Sequence, residues 1–123
     1  MSFRNLMIVT AVSATAFGLG FIIAPTQLGS LFGMSSTPTS DFAFRLYAMA
    51  LIGVGLLAWL IRQADDHATQ KPILTAFFVM DFGGFLVMLY AQLAGLMNAL
   101  GWSVAILLLL LSAAYAYLRY SLK

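Results

Sequence analysis

The stretch that most constrains this chain is Pro72 to Gly95, PILTAFFVMDFGGFLVMLYAQLAG, 24 apolar or weakly polar residues interrupted by one formal charge, Asp81. A helix needs about 20 such residues to cross the hydrocarbon of a bilayer. A carboxylate at that depth costs roughly 2.5–3.5 kcal/mol on insertion scales, so it calls for a partner or a purpose. Three more stretches have the same character: Leu6 to Ala24, Phe42 to Ile61, and Trp102 to about Leu118. The expectation is an all-α integral membrane four-helix bundle forming a single transmembrane domain over residues 1–123.

Composition supports that solvent. Only 8% of the 123 residues are charged, against about 25% in an ordinary soluble domain. Too few polar side chains exist to cover a water-facing surface. Cysteine is absent, which removes disulfides, thiolate metal sites and thiol nucleophiles together. The net charge of +2 comes from residues at the ends of the apolar runs, so it reads as a topology signal and not as a nucleic-acid patch. If the chain crosses four times, Arg4, Arg62, Lys71, Arg119 and Lys123 share one side and only Arg45 faces the other. The positive-inside bias then places both termini and the 62–71 loop in the cytoplasm.

The connections carry their own signals. The first apolar run continues past Ala14-Thr15-Ala16, a conceivable signal-peptide cleavage site, to Ala24, and is expected to be a retained span. Ala11, Ala14 and Gly18 make a smooth helical face suited to close packing. In the second span, Arg45, Ala48, Ile52, Gly55 and Trp59 lie along one stripe. Between the two, Leu28, Leu31 and Phe32 share a face of a short interfacial helix that Gly33 can cap. Ser40 is expected to cap the second span with Asp41 in its first turn. Residues 62–71, RQADDHATQK, are expected to be a solvated loop, and Pro72 to open the third span. Tyr115, Tyr117 and Tyr120 are expected near the headgroups.

The run Gly18-Leu-Gly-Phe-Ile-Ile-Ala-Pro25, then Leu31-Phe-Gly33, Arg45-Leu-Tyr47 and Gly53-Val-Gly55, resembles small bacterial four-helix inner-membrane proteins whose function is uncharacterised. The resemblance covers most of the chain and implies four spans and a bacterial inner (cytoplasmic) membrane. It transfers no activity. Glutamate-centred multidrug exporters are similar only in size, since this chain has no Glu. The Glu/Arg/Asn motifs of glutathione-linked membrane enzymes are missing as well.

Four residues are candidates for a buried polar, ligand or proton site: Asp81, Arg45, Gln92 and Tyr47. Asp81 and Arg45 are the two intramembrane charges. Counted along ideal helices, they differ by roughly 10 Å in depth, a gap that a long arginine, a tilt or a water could close. A structural Asp81 bonded to a neighbouring helix is the plainer alternative. Asp65-Asp66-His67 could be read as metal ligands, but three adjacent loop residues seldom converge on one ion. Met49, Met80, Met88 and Met97 share no face, so they read as packing. Ser13, Ser103 and Ser112 have no histidine at membrane depth to activate them. No metal or cofactor is expected. The expected partners are the lipid bilayer and another membrane protein or further copies of the chain, with no nucleic acid. The function expected is that of a non-catalytic accessory or scaffold subunit. A small transporter or channel lined by Asp81 and Arg45 is one rival, and a protein binding lipid or another hydrophobic ligand is the other.

Overall fold

The computed structural model describes residues 2–122, so Lys123, counted in the charge bias, lies outside the described residues. Five helices follow in order: α1 (Phe3–Ile23), α2 (Pro25–Leu31), α3 (Pro38–Ile61), α4 (His67–Leu93) and α5 (Gly101–Ser121). No strand occurs among the described residues. All but α2 are long and apolar enough to cross a membrane. The short helix expected between the first two spans is α2.

Helix ends explain where the expected boundaries shift. Thr37, not Ser40, caps α3: its side chain accepts from the Ser40 amide at 3.0 Å, and Ser40 Oγ accepts from the Thr37 amide at 2.9 Å. Pro38 at the first helical position supplies a preset φ and needs no donor, so this reciprocal cap starts the helix four residues before the expected Phe42. Asp66 caps α4, accepting from the Thr69 amide at 3.0 Å and from Thr69 Oγ1 at 2.5 Å. The helix therefore begins at His67, and Pro72 lies inside it instead of opening it. Near the start of a helix, this proline removes only the donor that would reach the Ala68 carbonyl. The polar loop shrinks to residues 62–66. Gln70, buried, closes it by donating to the Ala64 carbonyl at 2.7 Å.

Two helices end alike. After α2, the Met34 and Gly33 amides reach back to the Gly29 and Ser30 carbonyls, both at 2.9 Å. After α4, Leu96 and Gly95 do the same to Ala91 and Gln92, at 2.9 and 3.1 Å. Both closures need a left-handed residue, and Gly33 and Gly95 sit at φ +78 and +75.

The chain divides into two compact units. One runs from Met7 to Arg62 and holds most of α1, with α2 and α3. Its seam is backbone against backbone. A Cβ added to Gly18 would stand 3.0 Å from the Ala48 carbonyl oxygen and 2.7 Å from the Ile52 side chain. One added to Gly55 would stand 3.1 Å from the Ala11 carbonyl and press on Thr15 Oγ1. The two small-residue stripes visible in the sequence thus face each other, antiparallel, as close packing in a membrane requires. Phe21 and Phe44 pack at 5.2 Å between ring centres near one end. At the other, the Arg62 guanidinium lies 3.7 Å above the Trp59 ring.

The other unit holds the chain through Leu6 and everything from Gln63 onward, chiefly the α4–α5 hairpin. Gln70, Leu74, Phe77 and Asp81 form the buried stripe of α4, spaced by three and four residues; Gly101, Ala105, Ser112 and Tyr115 form that of α5. Arg119 Nε donates to Thr75 Oγ1 at 2.6 Å, and Thr75 in turn donates to the Lys71 carbonyl at 2.9 Å. Phe77 and Tyr115 pack at 5.6 Å. Tyr115 is fully buried there, whereas Tyr117 and Tyr120 are exposed. Its spacing of three from Ser112 places it on the packing face.

Candidate functional site

Asp81 takes one place in the buried stripe of α4 where the pattern calls for an apolar residue. It lies one turn beyond Phe77, which meets Tyr115, and three residues before Gly84, whose Cβ position would be 3.3 Å from Leu108. The antiparallel register therefore sets Asp81 level with the middle of the α5 segment between Tyr115 and Leu108, where Ser112 lies. Asp81 is 6% exposed and Ser112 1%. The Ser112 hydroxyl donates to the Leu109 carbonyl of its own helix at 2.9 Å. The Asp81 carboxylate has no hydrogen-bond or ion-pair partner among the described residues. A buried polar group in that state is costly, on the order of 1–3 kcal/mol by protein substitution data.

Gln92 is on the same helix, eleven residues on, or about 16 Å away along the axis. It belongs to the hairpin turn. Its amide nitrogen donates to the Asn98 carbonyl at 3.1 Å, and its side chain lies against the backbone of Gly101, where any Cβ would meet it at 2.9 Å. Its Oε1 is buried and unpaired among the described residues. The residue clamps the connection between α4 and α5 and is three turns from Asp81.

Arg45 and Tyr47 lie in the Met7–Arg62 unit, both exposed on α3. Two residues apart on a helix, they do not face each other. Arg45 Nε donates to the Ile22 carbonyl at 3.2 Å, satisfying an end group of α1 that has no helical partner. One turn earlier, Asp41 accepts from Thr26 Oγ1 at 2.7 Å and from Ser36 Oγ at 2.9 Å, and the two hydroxyls are themselves 3.3 Å apart. Asp41 and Arg45 border one open hollow with Ser36, Thr37, Pro38 and Phe42. This cluster has no local signature that joins Thr26 and Ser36 to α3. Its one signal in the sequence is an acid and a base four residues apart behind a hydroxyl-rich loop, where Asp41 reads only as a helix-start charge.

Asp66, Ser13 and Ser103 are each engaged within or at the start of their own helices. Asp66 is a capping residue, and its bond with Thr69 holds its carboxyl below the usual carboxylate range. Among the described residues, no group of three His, Cys, Asp or Glu side chains is placed to hold a metal. Ser13 donates to the Val9 carbonyl at 2.8 Å and Ser103 to that of Leu100 at 2.6 Å, so both hydroxyls serve their own helices. Compared with known protein families, curated proteins and solved structures, the chain matches none.

Proposed function

We propose that the chain is a small, non-catalytic membrane subunit that works by packing its helices against another membrane protein or another copy of itself. The observation that supports this is the pair of outward glycines. A Cβ at Gly53 of α3 or at Gly83 of α4 would meet nothing within 4 Å. Glycine lowers helix propensity by about 0.8–1.0 kcal/mol relative to alanine, and these two relieve no clash inside the chain. What they offer is bare backbone to a helix from outside, amid exposed Leu46, Met49, Leu57 and Val79. We further propose a bacterial inner membrane, as the resemblance implies, with both termini in the cytoplasm, as the lysine and arginine asymmetry implies.

The test is mild-detergent extraction of the tagged protein from its own membranes, followed by native mass spectrometry. A fixed-ratio complex or a defined homo-oligomer is expected. Gly53→Leu and Gly83→Leu should release it while leaving each unit folded. A monomer in all three cases sinks the proposal.

A second reading is favoured by the unpartnered Asp81. In it, the chain is a small transporter or channel and Asp81 lines the path. Flux in reconstituted vesicles that disappears with Asp81→Asn supports it; flux unchanged by that substitution removes it.

A further inference from the structure

The corner where α2 gives way to α3 encloses an open hollow of about 430 Å³, walled by Ser36, Thr37, Pro38, Asp41, Phe42 and Arg45. It lies at the ends of α1 and α3, both long and apolar enough to cross a membrane, and so at the depth of the headgroups. Two opposite charges stand side by side in it without pairing. The Asp41 carboxylate is oriented by the hydroxyls of Thr26 and Ser36. The Arg45 guanidinium is pinned through Nε alone, on the Ile22 carbonyl. Its two terminal nitrogens have no hydrogen-bond partner among the described residues. A pinned guanidinium with free N–H groups is a preorganised phosphate receptor, because its planar fork matches phosphate oxygens bidentately. Four residues apart on a helix, the two side chains start about 5–6 Å from each other.

We propose that this corner binds the headgroup of a phosphatidylethanolamine lipid. The phosphate sits on the Arg45 guanidinium, and the ammonium donates to the Asp41 carboxylate. An ethylene link separates those two charges in the headgroup, a span comparable to one helical turn. The acyl chains continue along α3 over Phe42 and, one turn on, Leu46, which are 67% and 64% exposed. Both signs are needed for the choice. A phosphate without an ammonium would leave Asp41 unanswered, and a choline headgroup carries no N–H to donate. A free phosphate shares only half of this chemistry and has no use for the apolar wall. The inference rests on the chain spanning a membrane, but on neither its partner nor its orientation.

The test uses the full chain in detergent, with retained lipid counted by native mass spectrometry after addition of phosphatidylethanolamine, phosphatidylcholine or phosphatidylglycerol. The unmodified protein is expected to hold the ethanolamine lipid about tenfold more tightly than the choline lipid. Asp41→Asn, which keeps the shape and the hydroxyl contacts, should abolish that preference. Arg45→Gln should weaken every phospholipid. Equal retention of all three lipids by the unmodified protein overturns the proposal, and that measurement needs no variant to fold. Displacement of the lipid by millimolar inorganic phosphate would assign the site to a free anion and overturn the lipid. Carbonate washing of membranes beforehand separates the two levels: release of the protein would remove the spanning reading itself, whereas a retained protein without lipid preference removes only this site.

Discussion

The two units hold helix pairs of similar length by different means. Between α1 and α3 the contact is one of shape: Gly18 and Gly55 remove side chains so that backbone carbonyls at Ala48 and Ala11 come within reach. Between α4 and α5 the contact is one of side chains: Phe77 on Tyr115, Arg119 on Thr75, Gln92 in the turn. In hydrocarbon, apolar burial between helices gains little, because lipid tails are as apolar as leucine. Shape and polar contacts are the two remaining sources of association, and this chain uses one in each unit. The difference also separates what is structural from what is not. The shape-held seam has no member that works against it. The side-chain-held seam includes Asp81, which costs stability and makes no bond among the described residues.

The largest effect should come from filling the tight seam. Gly55→Leu forces bulk onto the Ala11 carbonyl and Thr15, and overpacking of this kind costs typically 1–3 kcal/mol. A loss of about 3 kcal/mol is expected in an unfolding titration with a denaturing detergent. Gly53→Leu, with open space at its Cβ, is the control; compared on the released monomer it should lose nothing and gain up to about 0.8 kcal/mol of helix propensity. If both glycines tolerate leucine equally, shape does not hold α1 to α3. The next effect should have the opposite sign. Asp81→Leu restores the apolar stripe of α4 and removes an unanswered polar group, so a gain of about 1–3 kcal/mol is expected in the same titration. A loss instead would mean that Asp81 is a structural bond-maker, and the contrast between the seams would be one of degree.

These two seams were not equally legible in the sequence. The small-residue face Ala11–Ala14–Gly18 and the α3 stripe of Arg45, Ala48, Ile52, Gly55 and Trp59 could be read by spacing alone, because small residues at helical intervals suit close helix packing in a membrane. The four long apolar helices followed from length and hydropathy, and the short α2 from an apolar face and a glycine. Helix starts were read less well. Pro72 looked like a beginning, but a capping carboxylate six residues earlier outweighs it. Thr37 and Ser40 form a reciprocal cap whose members are individually ordinary. The candidate site was legible only as single residues. Asp81 stood out as a charge in an apolar run, yet its level with Ser112 depends on the register of α4 against α5, which the Gly95–Gly101 turn sets and composition does not. The Asp41–Arg45 hollow was missed because Thr26 and Ser36 come from outside α3, and nothing local ties them to it.

Smaller effects test the polar seam and the helix starts. Thr75→Val removes the acceptor for Arg119 at an exposed position, where such a bond is worth about 0.5–1 kcal/mol. The loss should be recovered in part by pairing it with Arg119→Gln, which leaves no charge seeking a partner; a cycle showing no coupling would say that the contact adds nothing to the seam.

The smallest effect is one of pH, and it distinguishes the two capped starts. The α4 start depends on a carboxylate, and the Thr69 bonds hold Asp66 below its ordinary value near 3.9. A depressed folded value means that the cap is fully formed above that pH and is lost as pH falls through the lowered value, since the unfolded chain takes up the proton first. The Thr37 and Ser40 amides at the α3 start bond to hydroxyls, which do not titrate there. Amide exchange followed from pH 5 down to about pH 2 should therefore lose protection at Thr69 but not at Ser40. Asp66→Asn should flatten the response, because asparagine caps about as well and carries no proton to gain. If Ser40 loses protection in step with Thr69, the acid response is not local to the carboxylate cap. The two helix starts would then be opening as part of one event, and the separation of the chain into independently held pairs would fail with them.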